Sequence, residues 1–236
     1  MTATSKKVLF VLTSHDRKGD KPSGYFLSEV SHPYRVLAEA GYQIDFVSPK
    51  GGKAPVDPDS MDLKDGANAE FWNTPELRSA VENTKRPTDV RAEDYAGIYF
   101  AGGHAAMWDL PDDVAIASLT SNIYENGGIV GAVCHGPAAL VNVKRKNGEY
   151  LVKNMFVAAF TNDEEREVGL ERVVPFMLAD RLEQRGAQLA LERLEHVARN
   201  LSIKVCVSGR LVTGQNPASA TRVGDAMRTM LDNMTH

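Results

Sequence analysis

Three short, almost unbroken apolar runs constrain this chain more than any other feature. They are Val8 to Leu12, closing on Thr13-Ser14; Tyr95 to Ala101, closing on Gly102-Gly103-His104; and Ile129 to Val133, closing on Cys134. Runs of this length without polar alternation suit strands covered on both faces, which is the situation inside a parallel sheet. Further strands are predicted at Gln43 to Val47, Met155 to Phe160, Gln188 to Leu191, Ile203 to Val207 and Leu211 to Thr213. Helical spacing separates them. Tyr25, Phe26, Val30, Tyr34, Leu37 and Ala38 share one face before Gly41, and Leu110 to Asn126, starting near Pro111, ends at Gly127-Gly128. Pro137 to Val141, Pro175 to Arg185 and an amphipathic Ala218 to Asn233 add three more helices. The alternation predicts an α/β fold of the flavodoxin-like, doubly wound type: a mostly parallel sheet with helices on both faces and ligands at the carboxyl ends of the strands.

Residues 1–236 are read as one domain, within the size such sheets reach. The stretch from Ser48 to Asn73, rich in Gly, Pro and Asp, is too long for a bare connection and is expected to be a loop insertion serving as lid or interface. Thr161 to Glu167 reads as an acidic loop. A formal charge of -4 with scattered acids and bases offers no stripe for nucleic-acid phosphates and no polybasic membrane anchor. No run approaches the roughly 20 apolar residues of a membrane span. The polar start predicts no secretion signal, and two cysteines predict no disulfide framework, so a cytoplasmic, reducing location is expected.

The chemistry concentrates at Ala132-Val133-Cys134-His135-Gly136-Pro137. A nucleophile-type residue between small neighbours, at a strand-to-helix transition, is the nucleophile-elbow arrangement with sulfur in place of oxygen. A free cysteine is commonly just a small buried hydrophobe; the Ala and Gly flanks, the adjacent His135 and the second glycine-ended strand at Gly102-Gly103 argue for function. A helix starting directly after Cys134 would aim its amides at the sulfur and lower the thiol pKa. Cys206, inside an apolar run, reads as core packing. His15, His32, His196 and His236 show no metal-ligand spacing, and no phosphate-binding or dinucleotide fingerprint is complete, so neither metal nor cofactor is expected.

With these motifs the chain resembles the ThiJ/PfpI superfamily over nearly its whole length. The resemblance rests on Ala132 to Ala139, on Ala101-Gly102-Gly103-His104, on Glu29 with Pro33 in the first helix, and on Leu211 to Ser219. The Cys134-His135 pair and the long loop after the second strand look like the glyoxalase III and heat-shock chaperone branch. The resemblance implies Cys134 as nucleophile, His135 as its imidazole and Glu29 as a carboxyl group reaching the sulfur. Glu165, five residues on from Phe160, is implied as the third triad member, with Glu164 and Asp163 as register alternatives. Gly102 and Gly103 would shape a substrate and oxyanion pocket, with the amides of Gly103 and His135 as donors. His104 stays open between a pocket group and a structural histidine, and Ala105 departs from the family's usual glycine. The implied activity is cofactor-free conversion of small 2-oxoaldehydes to 2-hydroxy acids, in a homodimer. A holding chaperone for unfolded proteins, a thiol redox sensor and a cysteine amidase are the alternatives.

Overall fold

The computed structural model describes residues 7–190 and 204–234. In chain order these form β1 (Lys7–Val11), a small hairpin of β2 (Arg17–Lys18) and β3 (Lys21–Pro22), α1 (Leu27–Glu39), β4 (Gln43–Val47), α2 (Gly66–Asn73), α3 (Pro75–Glu82) and β5 (Gly97–Phe100). There follow α4 (Ala106–Asp109), α5 (Val114–Glu125), β6 (Ile129–Val133), β7 (Phe156–Val157), α6 (Asn162–Glu167), α7 (Leu178–Gln184), β8 (Gln188–Leu189), β9 (Val205–Ser208), β10 (Leu211–Gly214) and α8 (Ala220–Met234).

Six strands make the central sheet in the order β4-β1-β5-β6-β10-β9, all parallel except β9, which pairs antiparallel with β10 at the edge. This is the expected α/β architecture. The continuous apolar runs are explained by alternation between two cores. Val8, Phe10 and Tyr99 pack with Val30 and Leu37 of α1 and Met227 of α8. Leu9, Val11 and Phe100 pack with Ile116 and Ile123 of α5 and with Leu182 of α7 on the other face. Each large side chain so buried contributes about 1.5–3 kcal/mol, and neither face of the inner strands can accept a polar residue without losing it. Among the described residues, no helix is long and apolar enough to cross a membrane.

Several local expectations are corrected. Residues 66–73, read as loop, are helical because Asp65 accepts the Asn68 N–H as an N-cap, and Ala67 and Phe71 give the helix a buried side. The helix expected from Leu110 begins at Val114, where Asp113 caps it. The expected strand Met155 to Phe160 is only Phe156–Val157, paired with β8 outside the central sheet. Thr161 to Glu167 is a capped helix instead of a loop: Thr161 accepts the Glu164 N–H while Glu164 accepts the Thr161 N–H. Leu191, Ile203, His196 and His236, named above, lie outside the described residues.

The segment after β4 docks on the start of α1. The Leu27 N–H, left open because Phe26 offers no cap, donates to Ser60 Oγ at 2.9 Å. Gly24 is required beneath it, since a Cβ there would lie 2.0 Å from the Pro55 carbonyl oxygen. Further along α1, Pro33 has no N–H to give to the carbonyl four residues earlier, which is that of Glu29. The buried Tyr99 hydroxyl of β5 donates to it instead, at 2.6 Å. A tyrosine in the sheet thus fixes the backbone of Glu29. Tyr99→Phe is expected to cost about 1–3 kcal/mol by orphaning that carbonyl. Adding Pro33→Ala, which restores a helical N–H, should recover part of the loss in a chemical-denaturation double-mutant cycle; simple additivity would contradict the assignment.

Candidate active site

Cys134 follows β6 with φ of 58°, a left-handed conformation that a side chain rarely adopts. Its N–H donates to the Gly214 carbonyl and its own carbonyl accepts the Phe160 N–H, both at 3.0 Å, so β10 and the segment after β7 pin the strained residue from two sides. The chain then enters a 3-10 turn over Gly136–Leu140. The expected α-helix is absent, and with it the dipole that was to depress the thiol. The sulfur lies at a cavity of about 170 Å³ whose walls include Phe26, Phe160 and Val168, with His104, Glu164 and Asn216 as polar lining.

Glu29 comes to the sulfur from α1 and is fully buried. Its Oε2 accepts the Gly102 N–H at 2.6 Å. Only glycine fits at 102, because a Cβ would stand 2.7 Å from both that oxygen and the His135 nitrogen. Burial pushes the Glu29 pKa up to about 8, against the hydrogen bonds from Cys134 and Gly102. The carboxyl group is therefore protonated at neutral pH. With Oε2 occupied by an N–H, the proton belongs on the buried Oε1.

On the other side of the sulfur, His135 Nδ1 lies 3.3 Å from Sγ, and Nε2 lies 2.7 Å from Glu165 Oε2. His104 Nε2 meets the second oxygen, Oε1, at 2.8 Å. The hydrogen bonds from the two histidines outweigh burial and hold Glu165 down at about 2, so this carboxylate is an acceptor only. It thereby fixes the tautomer: His135 carries its proton on Nε2 and presents a bare Nδ1 to the sulfur. Burial lowers His135 to about 4, which keeps the ring neutral. Glu165 is thus the acid that reaches the imidazoles. Glu164 instead closes the cap of α6, and Asp163 pairs with Arg166 at the surface. His104, left open above, belongs to the pocket.

The surroundings of Cys134 act against the expected depression of its pKa. Burial, then the charge that Glu29 takes on above about pH 8, and the charge of Glu164 push the thiol well above its ordinary value; the His135 N–H, which donates to the sulfur, works the other way. That amide, one of two expected for an oxyanion hole, is engaged with the sulfur. Gly103 lines the cavity as expected. What results is a line of proton donors and acceptors running from Glu29 through the Cys134 thiol and the His135 ring to Glu165. Cys206, expected in the core, is partly exposed on the edge strand β9. Among the described residues, His104, His135 and Glu165 form the one group with a donor set suited to a divalent ion, their ligand atoms lying within 4.8 Å of one another. Binding one would displace both histidine–carboxylate hydrogen bonds.

Residues 22–164 match the DJ-1/PfpI family. The glutathione-independent glyoxalase HSP31 of Saccharomyces cerevisiae is 32% identical over 225 residues, covering 91% of this chain and 93% of the yeast protein. The crystal structure of glyoxalase III from Candida albicans superposes with a TM-score of 0.83 at 28% identity, over 94% of this chain and 96% of that one. The Rapid Encystment Protein REP24 of Francisella tularensis has a TM-score of 0.88 at 39% identity, over 95% and 98% of the two chains.

The protonated Glu29 has a consequence for stability. Folded, the carboxyl group keeps its proton to about pH 8; unfolded, it loses it near its ordinary 4.5. Between those values the folded state holds the extra proton, so the contribution of this group falls as pH rises. His135 acts in the opposite sense, losing stability as pH falls from its ordinary 6.5 toward about 4. Melting temperatures of wild type and Glu29→Gln across this range isolate the contribution of Glu29. The glutamine variant should gain on wild type steadily from about pH 4.5 to about 8; parallel curves would mean that Glu29 is ionised throughout.

Proposed function

The chain belongs to the DJ-1/PfpI family, and from that premise we propose that it is a glutathione-independent glyoxalase that converts small 2-oxoaldehydes such as methylglyoxal to 2-hydroxy acids. The observation that carries this reading is that two proton carriers of opposite state flank one sulfur: the neutral acid Glu29 and the bare Nδ1 of His135. A hydrolase needs one base for its nucleophile. Moving hydrogen between adjacent carbons calls for a second group near the same point that gives and takes a proton at neutral pH, and a carboxyl with a pKa of about 8 is matched to that task.

The substrate aldehyde enters the cavity beside Phe26 and Phe160. His135 Nδ1 takes the thiol proton as the sulfur adds to C1, and the carbonyl electron pair moves onto oxygen, which receives the Glu29 proton. The product is a hemithioacetal, and Glu29 is now a carboxylate. It removes the hydrogen of C1; the electron pair left behind makes the enediolate, whose C2 oxygen is neutralised by the proton on His135. Glu29 returns its proton to C2 and takes up the C1 hydroxyl proton, which leaves a thioester of the 2-hydroxy acid and Glu29 neutral again. Water then cleaves it and restores the thiol. The electrons are redistributed within the substrate, so no external oxidant or reductant enters the balance.

Purified protein incubated with methylglyoxal and no glutathione, assayed for D- and L-lactate, tests this reading. Turnover is expected in the wild type. It should vanish in Cys134→Ala, persist in Cys206→Ala, and fall by about 10²–10⁴ in Glu29→Gln, which keeps a hydrogen-bond donor but cannot shuttle a proton. Lactate formation at more than a few per cent of the wild-type rate by Cys134→Ala would refute the covalent route.

A further inference from the structure

Asn216 stands where an asparagine ordinarily caps a helix, immediately before the 3-10 turn Pro217–Ser219, yet its side chain makes no capping hydrogen bond. It turns toward α6, where Nδ2 donates to Glu164 Oε1 at 2.8 Å. Glu164 cannot yield, because its other oxygen accepts the Thr161 N–H at 2.8 Å in the cap of α6. That pairing settles the orientation of the amide: turned over, its carbonyl would face a carboxylate. Among the described residues, Asn216 Oδ1 is left buried without a hydrogen-bond partner, in a residue only 3% exposed that lines the same cavity as Cys134.

An unpaired buried acceptor costs about 1–3 kcal/mol, and a forgone cap adds to that. Glu164 also works against the thiol by raising its pKa, so the pair does not serve to activate sulfur. The reaction proposed above, on which this inference rests, creates one new hydrogen-bond donor beside Cys134. When the thiol adds to an aldehyde, the S–C bond forms, the π pair moves to oxygen, the thiol proton passes to His135, and the Glu29 proton ends on that oxygen as a hydroxyl group. We propose that Asn216 Oδ1, aimed by Glu164, is the acceptor for the C1 hydroxyl of the hemithioacetal, and so a substrate-binding group that stabilises the adduct over the free aldehyde. A side chain that waits unpaired in the free protein and is satisfied only in the adduct discriminates between the two states.

The test separates adduct formation from turnover. Pivaldehyde has no 2-oxo group and no α-hydrogen, so it can form the hemithioacetal but cannot be isomerised. Its protection of Cys134 against iodoacetamide is followed by mass spectrometry of the Cys134 peptide in wild type, Asn216→Ala and Asn216→Thr. Threonine offers a hydroxyl to Glu164 and a methyl group in place of the acceptor, which guards against a folding defect in the alanine protein. The expected result is an aldehyde concentration for half-protection raised about tenfold in both variants, each protein being compared with its own alkylation rate in the absence of aldehyde. Equal protection in all three proteins, no protection of wild type, or an equal change in alkylation without aldehyde would overturn the proposal. A wild type that is protected by pivaldehyde but makes no lactate from methylglyoxal would instead defeat the glyoxalase reading and leave the Asn216 contact standing.

Discussion

The left-handed backbone at Cys134 is the constraint on which the site depends. A non-glycine residue in that conformation costs on the order of 1–3 kcal/mol and persists only where its surroundings hold it. Here the Gly214 carbonyl and the Phe160 N–H hold it, one from the neighbouring strand β10 and one from the segment beyond β7. Relax that residue and the sulfur leaves the point where α1 and the loop after β5 converge. Glu29 would then keep only the Gly102 N–H, and the His135 ring would lose its bond to sulfur while keeping the one to Glu165.

Around this point the protein arranges protons more than charges. Glu29 is neutral, the thiol is neutral, the imidazole is neutral, and the one ionised group in the line is Glu165, held so by two histidines. Burial dictates this state, since an isolated thiolate or imidazolium in a dry cavity would be far more costly than a hydrogen-bonded neutral pair. The nucleophile is therefore made on demand. Because the tautomer of His135 is set by Glu165, the thiol has a base waiting whenever a carbonyl carbon arrives, and the energy of charge separation is offset by the bond being formed. His104 shares the charge of Glu165 and keeps it from accepting the proton outright.

Much of this was legible in the residues. Val8 to Leu12 and Ile129 to Val133 announced strands buried on both faces because burial on both faces is what removes polar alternation. The small residues around Cys134 announced the turn. Less legible was whatever depends on partners distant in sequence. That Pro33 frees a carbonyl can be read locally, but that Tyr99 takes it cannot. The short 3-10 turn after Cys134 resembles a helix start in sequence, and Thr161 to Glu167 looked like loop because its capping box sits in an acidic stretch with few apolar residues. The raised thiol pKa lies beyond the motif for the same reason. A helix dipole can be inferred from a motif, whereas the burial that outweighs it belongs to the whole fold.

The central claim, that Cys134 rests as a neutral thiol and is deprotonated by His135 only during attack, is tested most directly by the pH dependence of its alkylation together with its thiolate ultraviolet absorbance. The account predicts little thiolate absorbance at neutral pH and an alkylation rate that keeps rising through and beyond the ordinary thiol range, near pH 9. A full thiolate signal with a rate plateau already reached below neutral pH would contradict it, and would mean that the sulfur is stored as an anion.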